Sequence, residues 1–247
     1  MIRKRYNKPY IRINIFMFMT ESDQDLKTRA EKIYKILKAR NPRAKIALTY
    51  SNNWELLVAV ILSAQCTDKK VNEVTPPLFK KYKTLADYVK TDRQEFEQMI
   101  RSTGFFRAKT KNILATAKII QEKFGGKIPR TMASMLTLKG VARKTANVVL
   151  GNAYGVVEGI AVDTHVIRLS GLLKLSTAHS PEKIEQDLMK ILPREKWFDF
   201  TYLLIDHGRA ICTAKDPRCD LCPLAKICPS AYKFPRFQKG VKKINKR

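Results

Sequence analysis

"LKGVARKTANVV", residues 138–149, decides how this chain is read, because a glycine turn runs straight into a helix and sets Arg143 and Lys144 at its start. A helix N-terminus carries roughly half a positive charge and repels an exposed ammonium group by about 0.3–1 kcal/mol. Cations are favoured at the other end. One reason to place a lysine here is chemical: only a neutral amine is nucleophilic, and the helix start, adjacent Arg143 and partial burial would all disfavour the ammonium form of Lys144. The plain alternative is a surface lysine on a phosphate, with the amides of the helix start gripping the same backbone.

Outward from the hairpin the periodicity is helical. From residue 23 apolar residues recur at three and four positions, and strand signals are nearly absent. "NNWELLVAVILSAQ" starts at a cap on Asn52 or Asn53, "DRQEFEQMIRSTG" runs from Asp92 to a stop at Gly104, and "AKTKNILATAKIIQEKFGG" ends on paired glycines. "TMASML" forms a short helix before the hairpin, and "SPEKIEQDLMKILP" has Ser180 as its cap and Pro181 at the first helical position. The expected architecture is all-α, with one or two cores.

The chain has 247 residues and 45% hydrophobic content, enough to bury a sizeable core. Its 48 Lys+Arg against 22 Asp+Glu give a net charge of +26, which points to a polyanionic partner or an anionic surface. Residues 1–20 hold five basic side chains and residues 231–247 hold seven, with no acid in either stretch. Fourteen net positive charges remain between them. No stretch approaches the ~20 apolar residues of a membrane span, and "IRINIFMFM" is broken by Arg12 and Asn14. That segment is read as a disordered extension, with Met17 and Met19 both able to initiate.

Residues 212–228, "CTAKDPRCDLCPLAKIC", place Cys212, Cys219, Cys222 and Cys228 at C-x6-C-x2-C-x5-C spacing. A tight four-thiol run in a basic chain favours a metal over two disulfides. Zinc modules usually pair two C-x2-C units, whereas iron–sulfur clusters take four thiolates from one irregular run. Cys66 reads as a buried thiol.

Four segments together resemble the endonuclease III family of bifunctional DNA glycosylases and AP lyases: "LSAQCTD", "LKGVARKTANVVL", "AVDTHVIRL" and the four-cysteine loop. The resemblance spans about Asp23 to Cys228. It implies a six-helix barrel domain over 46–157 with a helix-hairpin-helix at 136–150, a [4Fe-4S] cluster domain over 21–45 and 158–231, and a DNA cleft between them. Residues 1–20 and 232–247 would be basic extensions. It further implies a monomer in the cytoplasm, at the nucleoid, acting on double-stranded DNA that carries oxidised pyrimidines or abasic sites.

Residue by residue, the resemblance makes Lys144 the nucleophile, Asp163 the catalytic carboxylate and the four cysteines the cluster ligands. Gln65 would plug the space of an extruded nucleotide, and Phe105 would wedge the stack, although a core position for Phe105 is the alternative. Lys139, Gly140 and Ala142 would hold phosphate in the hairpin; His165 and Arg168 would face phosphate beside Asp163. Lys139 stands where the family usually has proline and Ala142 where it has a second glycine. An alanine forced into left-handed geometry would cost about 1–2 kcal/mol. An adenine-specific glycosylase would lack Lys144 and the Thr164–His165 pair, and a non-enzymatic iron–sulfur module would need neither Lys144 nor Asp163.

Overall fold

The computed structural model describes residues 21–238. The extension expected over 1–20 and the end of the tail expected over 232–247 lie outside them. Twelve α-helices follow in order among the described residues: α1 (Asp23–Arg40), α2 (Asn53–Leu62), α3 (Asp68–Lys81), α4 (Leu85–Lys90), α5 (Arg93–Ile100), α6 (Phe106–Phe124), α7 (Met132–Met135), α8 (Arg143–Tyr154), α9 (Thr164–Leu172), α10 (Pro181–Ile191), α11 (Trp197–Ala210) and α12 (Pro235–Gln238). The all-α expectation holds.

Local chemistry sets the boundaries. Asn52 caps α2 by accepting from the Glu55 amide at 3.0 Å, Asp92 caps α5, and Ser180 caps α10 with Pro181 behind it. Gly125 stops α6 in left-handed geometry, φ +57°. Helix α2 is buried at every position from Leu56 to Leu62, so it runs through the middle of a core rather than over its surface. Helix α3 has no counterpart in the sequence reading, because Pro76 and Pro77 lie inside it. An interior proline costs about 3 kcal/mol or more. The helix persists because Val71, Val74 and Leu78 are buried beneath it. The Asn72 amide also ties it to the preceding loop, at Ala47 O (2.8 Å) and Thr49 N (2.9 Å).

The buried apolar residues form two clusters. One runs from Leu48 to Leu150 with Ala161, and Trp54, Tyr82, Tyr88 and Phe96 close one end of it with ring centroids 5.0–5.8 Å apart. The other joins Ala30–Ala44 of the N-terminal segment to Ile160–Leu224. Polar ties bind α1 into this second cluster: Lys38 to Asp199 at 2.6 Å and Asn41 to Asp206 at 2.6 Å. The basic tail expected from 232 makes defined contacts at its beginning. Arg236 pairs with Asp216 at 2.7 Å, and Tyr232 stacks edge-on against Phe237.

Candidate active-site cleft and thiol cavity

The hairpin between α7 and α8 uses one left-handed residue, Gly140 at φ +75°. A Cβ there would lie 2.9 Å from the Asn112 Cβ, so conformation and space both demand glycine. Ala142 is not left-handed. It sits extended at φ −90°, ψ 171° as the N-cap of α8, and the strain expected for it is absent because Gly140 has already made the turn. Its methyl offers no cap, so no side chain competes with an anion for the first amides of α8. Lys139 is exposed, and its carbonyl accepts from Thr116 Oγ1 at 3.0 Å. Gly140→Ala is expected to cost about 1–2 kcal/mol, or about 2–8 °C in Tm, and to weaken DNA binding. A melting curve checks it, and an unshifted Tm would refute the left-handed turn.

Lys144 follows at the second position of α8. Arg143, expected to disfavour its ammonium form, is not a free cation: its Nε donates to Glu185 Oε2 at 2.7 Å. The Glu185 carboxylate is buried, and its other oxygen accepts from Asn147 Nδ2 at 2.9 Å. Glu185 thus cancels most of the charge beside Lys144 and anchors α8 to α10. Asp163 is the N-cap of α9, with Oδ1 accepting from the Val166 amide at 2.9 Å. The cap fixes where its carboxylate points.

Lys144, Asp163, Gln65, Ala142 and His165 line one broad open cleft between the two apolar clusters. Lys144 and Asp163 also border a smaller recess behind it, about 520 Å³, walled by Leu48, Val148 and Tyr202. Gln65 and Phe105 are both held at positive φ, +51° and +47°. Phe105 is 64% exposed, so it is no core residue; Phe106 turns inward instead. Left-handed geometry costs a non-glycine residue about 1–2 kcal/mol, and exposed tips that keep such strain are typical of binding elements.

His165 and Arg168 do not share a phosphate-facing role. Arg168 Nη1 donates to the Cys212 carbonyl at 2.6 Å and approaches the Cys212 thiol at 3.9 Å, so its charge serves the cysteine loop. His165 borders the cleft, and burial holds its imidazole below the usual range, with Arg209 and Arg168 adding to the effect and Asp163 opposing it. Two cleft residues escaped the sequence reading. Arg209 pairs with Asp68 at 2.7 Å, linking α11 to the start of α3. Asp68 lay within "LSAQCTD", but nothing local marks Arg209, whose partner is 141 residues away.

All five cysteines are free. Cys212, Cys219, Cys222 and Cys228 line one small cavity, walled by Leu169, Leu172, Ile211 and Leu224. Burial pushes the Cys212 and Cys228 thiols up and the Cys222 thiol up to about 11. His207 Nε2 lies 3.6 Å from the Cys222 sulfur. Among the described residues no three His, Cys, Asp or Glu side chains converge closely enough to hold a single metal ion.

Residues 58–194 match the model of the HhH-GPD superfamily base excision DNA repair protein. The chain is 52% identical to endonuclease III of Synechocystis over 205 residues, covering 83% of this chain and 94% of the relative. It is 37% identical to endonuclease III of Escherichia coli K12, covering 82% and 95%. A solved non-covalent endonuclease III–DNA complex superposes with a TM-score of 0.82 at 42% identity, covering 86% of this chain and 99% of that one. A trapped endonuclease III–DNA covalent intermediate gives 0.80 at 42% identity, covering 84% and 97%. With its hairpin, cleft and thiol loop in one helical frame, the chain belongs to the HhH-GPD superfamily and, within it, to the endonuclease III family of base-excision repair DNA glycosylases.

Proposed function

We propose that the protein removes oxidised pyrimidines from duplex DNA by Schiff-base chemistry and then cleaves the strand 3′ to the abasic site. The observation that carries this reading is the meeting of Lys144 and Asp163 in one cleft whose rim holds left-handed Gln65. The scissile bond is hidden in the stack, so the damaged nucleotide must turn out into the cleft, and poor stacking lowers that cost. The α8 amides and Lys139 hold the backbone, Gln65 meets the orphaned partner base, and Phe105 wedges the stack.

The neutral Lys144 amine attacks C1′ and the base departs with the bonding pair. Asp163 stabilises positive charge developing on the sugar and relays the proton that the amine loses. Ring opening gives an imine between Lys144 and C1′. Loss of a C2′ proton then expels the 3′ phosphate, and water hydrolyses the imine to restore Lys144. Incision of a duplex carrying one thymine glycol tests the reading. A β-elimination product is expected, and breakage only after alkali would overturn the lyase assignment.

The thiol cavity suits a [4Fe-4S] cluster held by Cys212, Cys219, Cys222 and Cys228. Four thiols from one irregular run on an apolar wall are the donor set that iron–sulfur clusters take. When bound, such a cluster supplies four iron–thiolate bonds that cross-link the loop, while Arg168 braces it from α9. The purified protein is expected to be brown with about four irons per chain. Colourless protein carrying zinc would overturn this. Cys219→Ser is expected to cost solubility and DNA affinity through loss of the loop's shape.

The two apolar clusters support a barrel domain over 46–157 and a cluster domain over 21–45 and 158–231, with the cleft between. We place the enzyme at the nucleoid in the cytoplasm, acting as a monomer. Among the described residues no helix is long and apolar enough to cross a membrane.

A further inference from the structure

Lys109, in the first turn of α6, takes no part in the chemistry above, yet it is 5% exposed. Its Nζ donates to the Leu62 carbonyl at 2.8 Å and to the Thr103 carbonyl at 2.8 Å. Both acceptors are neutral, and burial pushes the amine's titration downward. Dehydrating an ammonium costs several kcal/mol even after relaxation, and a methionine of similar length would fill the same volume without that cost. The charge therefore needs a purpose beyond packing.

Its partners supply one. Leu62 is the last residue of α2, where carbonyls lack helical partners, and it lies three residues before Gln65. Thr103 ends the 3-10 turn Arg101–Thr103, two residues before Phe105. These are the loops whose tips carry Gln65 and Phe105 at positive φ. Thr103 is itself buried, and its hydroxyl donates to the Ile100 carbonyl at 2.7 Å, which holds that turn in place.

We infer that Lys109 is a positioning residue for base extrusion: one buried ammonium ties the Gln65 and Phe105 loops into a rigid unit and sets the spacing between their tips. The inference rests on the roles proposed above for those two tips. Without the tie each loop keeps its own turn, but their separation is no longer fixed, and misplacement by about 1 Å can cost as much as a hundredfold in rate.

The test compares two single-turnover reactions of the full-length, cluster-loaded protein. One is excision of thymine glycol from a duplex. The other is cleavage of a preformed abasic site in a short single strand, which has no partner base to meet and no stack to wedge. Lys109→Met is expected to slow the duplex reaction about ten- to a hundredfold with a much smaller loss on the single strand. Added to the pair Gln65→Ala and Phe105→Ala, it is expected to cost nothing further. Equal losses on both substrates, or a full extra loss in the triple variant, would overturn the inference. Should Gln65→Ala with Phe105→Ala leave duplex excision unchanged, the roles of the tips fail first and the inference falls with them. If Lys109→Met does not fold, Lys109→Gln takes its place: a selective fall on the duplex supports the inference, while an equal fall or none overturns it.

Discussion

Lys144→Gln is expected to abolish borohydride trapping and strand cleavage together, because glutamine keeps most of the length of the side chain but has no nucleophilic amine. In the wild type, borohydride present during turnover reduces the imine and leaves protein covalently joined to DNA, visible as a shifted band on a denaturing gel. The variant is expected to give no band above background and no β-elimination product. DNA binding is expected to survive, since the hairpin grip comes from the α8 amides and the fixed turn at Gly140. The fold is expected to be unharmed as well, because the tie between α8 and α10 runs through Arg143, Asn147 and Glu185. Trapping at wild-type yield would move the nucleophile to another amine, with Lys139 the first to examine.

Asp163→Asn is expected to reduce base excision by about 10²–10⁴-fold, the usual loss for an acid-base group. The substitution isolates chemistry from structure, because asparagine caps helices as well as aspartate does and can keep the bond to the Val166 amide. Asp163→Ala would add about 1 kcal/mol of lost capping and blur the result. Cleavage of a preformed abasic site is expected to be less affected, because no base has to leave. Equal losses on the damaged base and the abasic site would show that Asp163 acts in a step common to both or holds α9 in place.

Helices α2, α5, α6, α7, α8 and α10, half of the twelve among the described residues, could be read from the sequence because their caps and stops are local. Asn52, Asp92, Ser180 and Gly125 each do their work within a few residues. Helix α3 could not, since Pro76 and Pro77 contradict it locally and burial of Val71, Val74 and Leu78 decides it. The chemistry divides in the same way. Lys144, Asp163 and the four cysteines lie in short motifs with characteristic spacing, whereas their supporting partners do not. Glu185 is 42 residues from Arg143, and Arg209 is 141 residues from Asp68. The resemblance implies a phosphate contact for Arg168 beside His165, and nothing local marks the hydrogen bond it makes to the Cys212 carbonyl, 44 residues on. The hairpin shows a subtler limit, since the motif flagged Ala142 as strained while the backbone had already placed its left-handed turn at Gly140.

The second apolar cluster is closed by both ends of the described chain, and this sets an order of events on the ribosome. Ala30, Ile33 and Leu37 of α1 are buried against partners that begin near Ile160, and the tie from Lys38 reaches Asp199, 161 residues later. At about 5–20 residues per second, the nascent α1 waits on the order of ten seconds or more with its apolar face uncovered. The apolar residues between Leu48 and Leu150 can condense on one another during that interval, while the ties from Arg143 and Asn147 to Glu185 and from Asp68 to Arg209 are made later. The four thiols follow α11 in the chain, so the loop that carries them is made after the helix that covers α1.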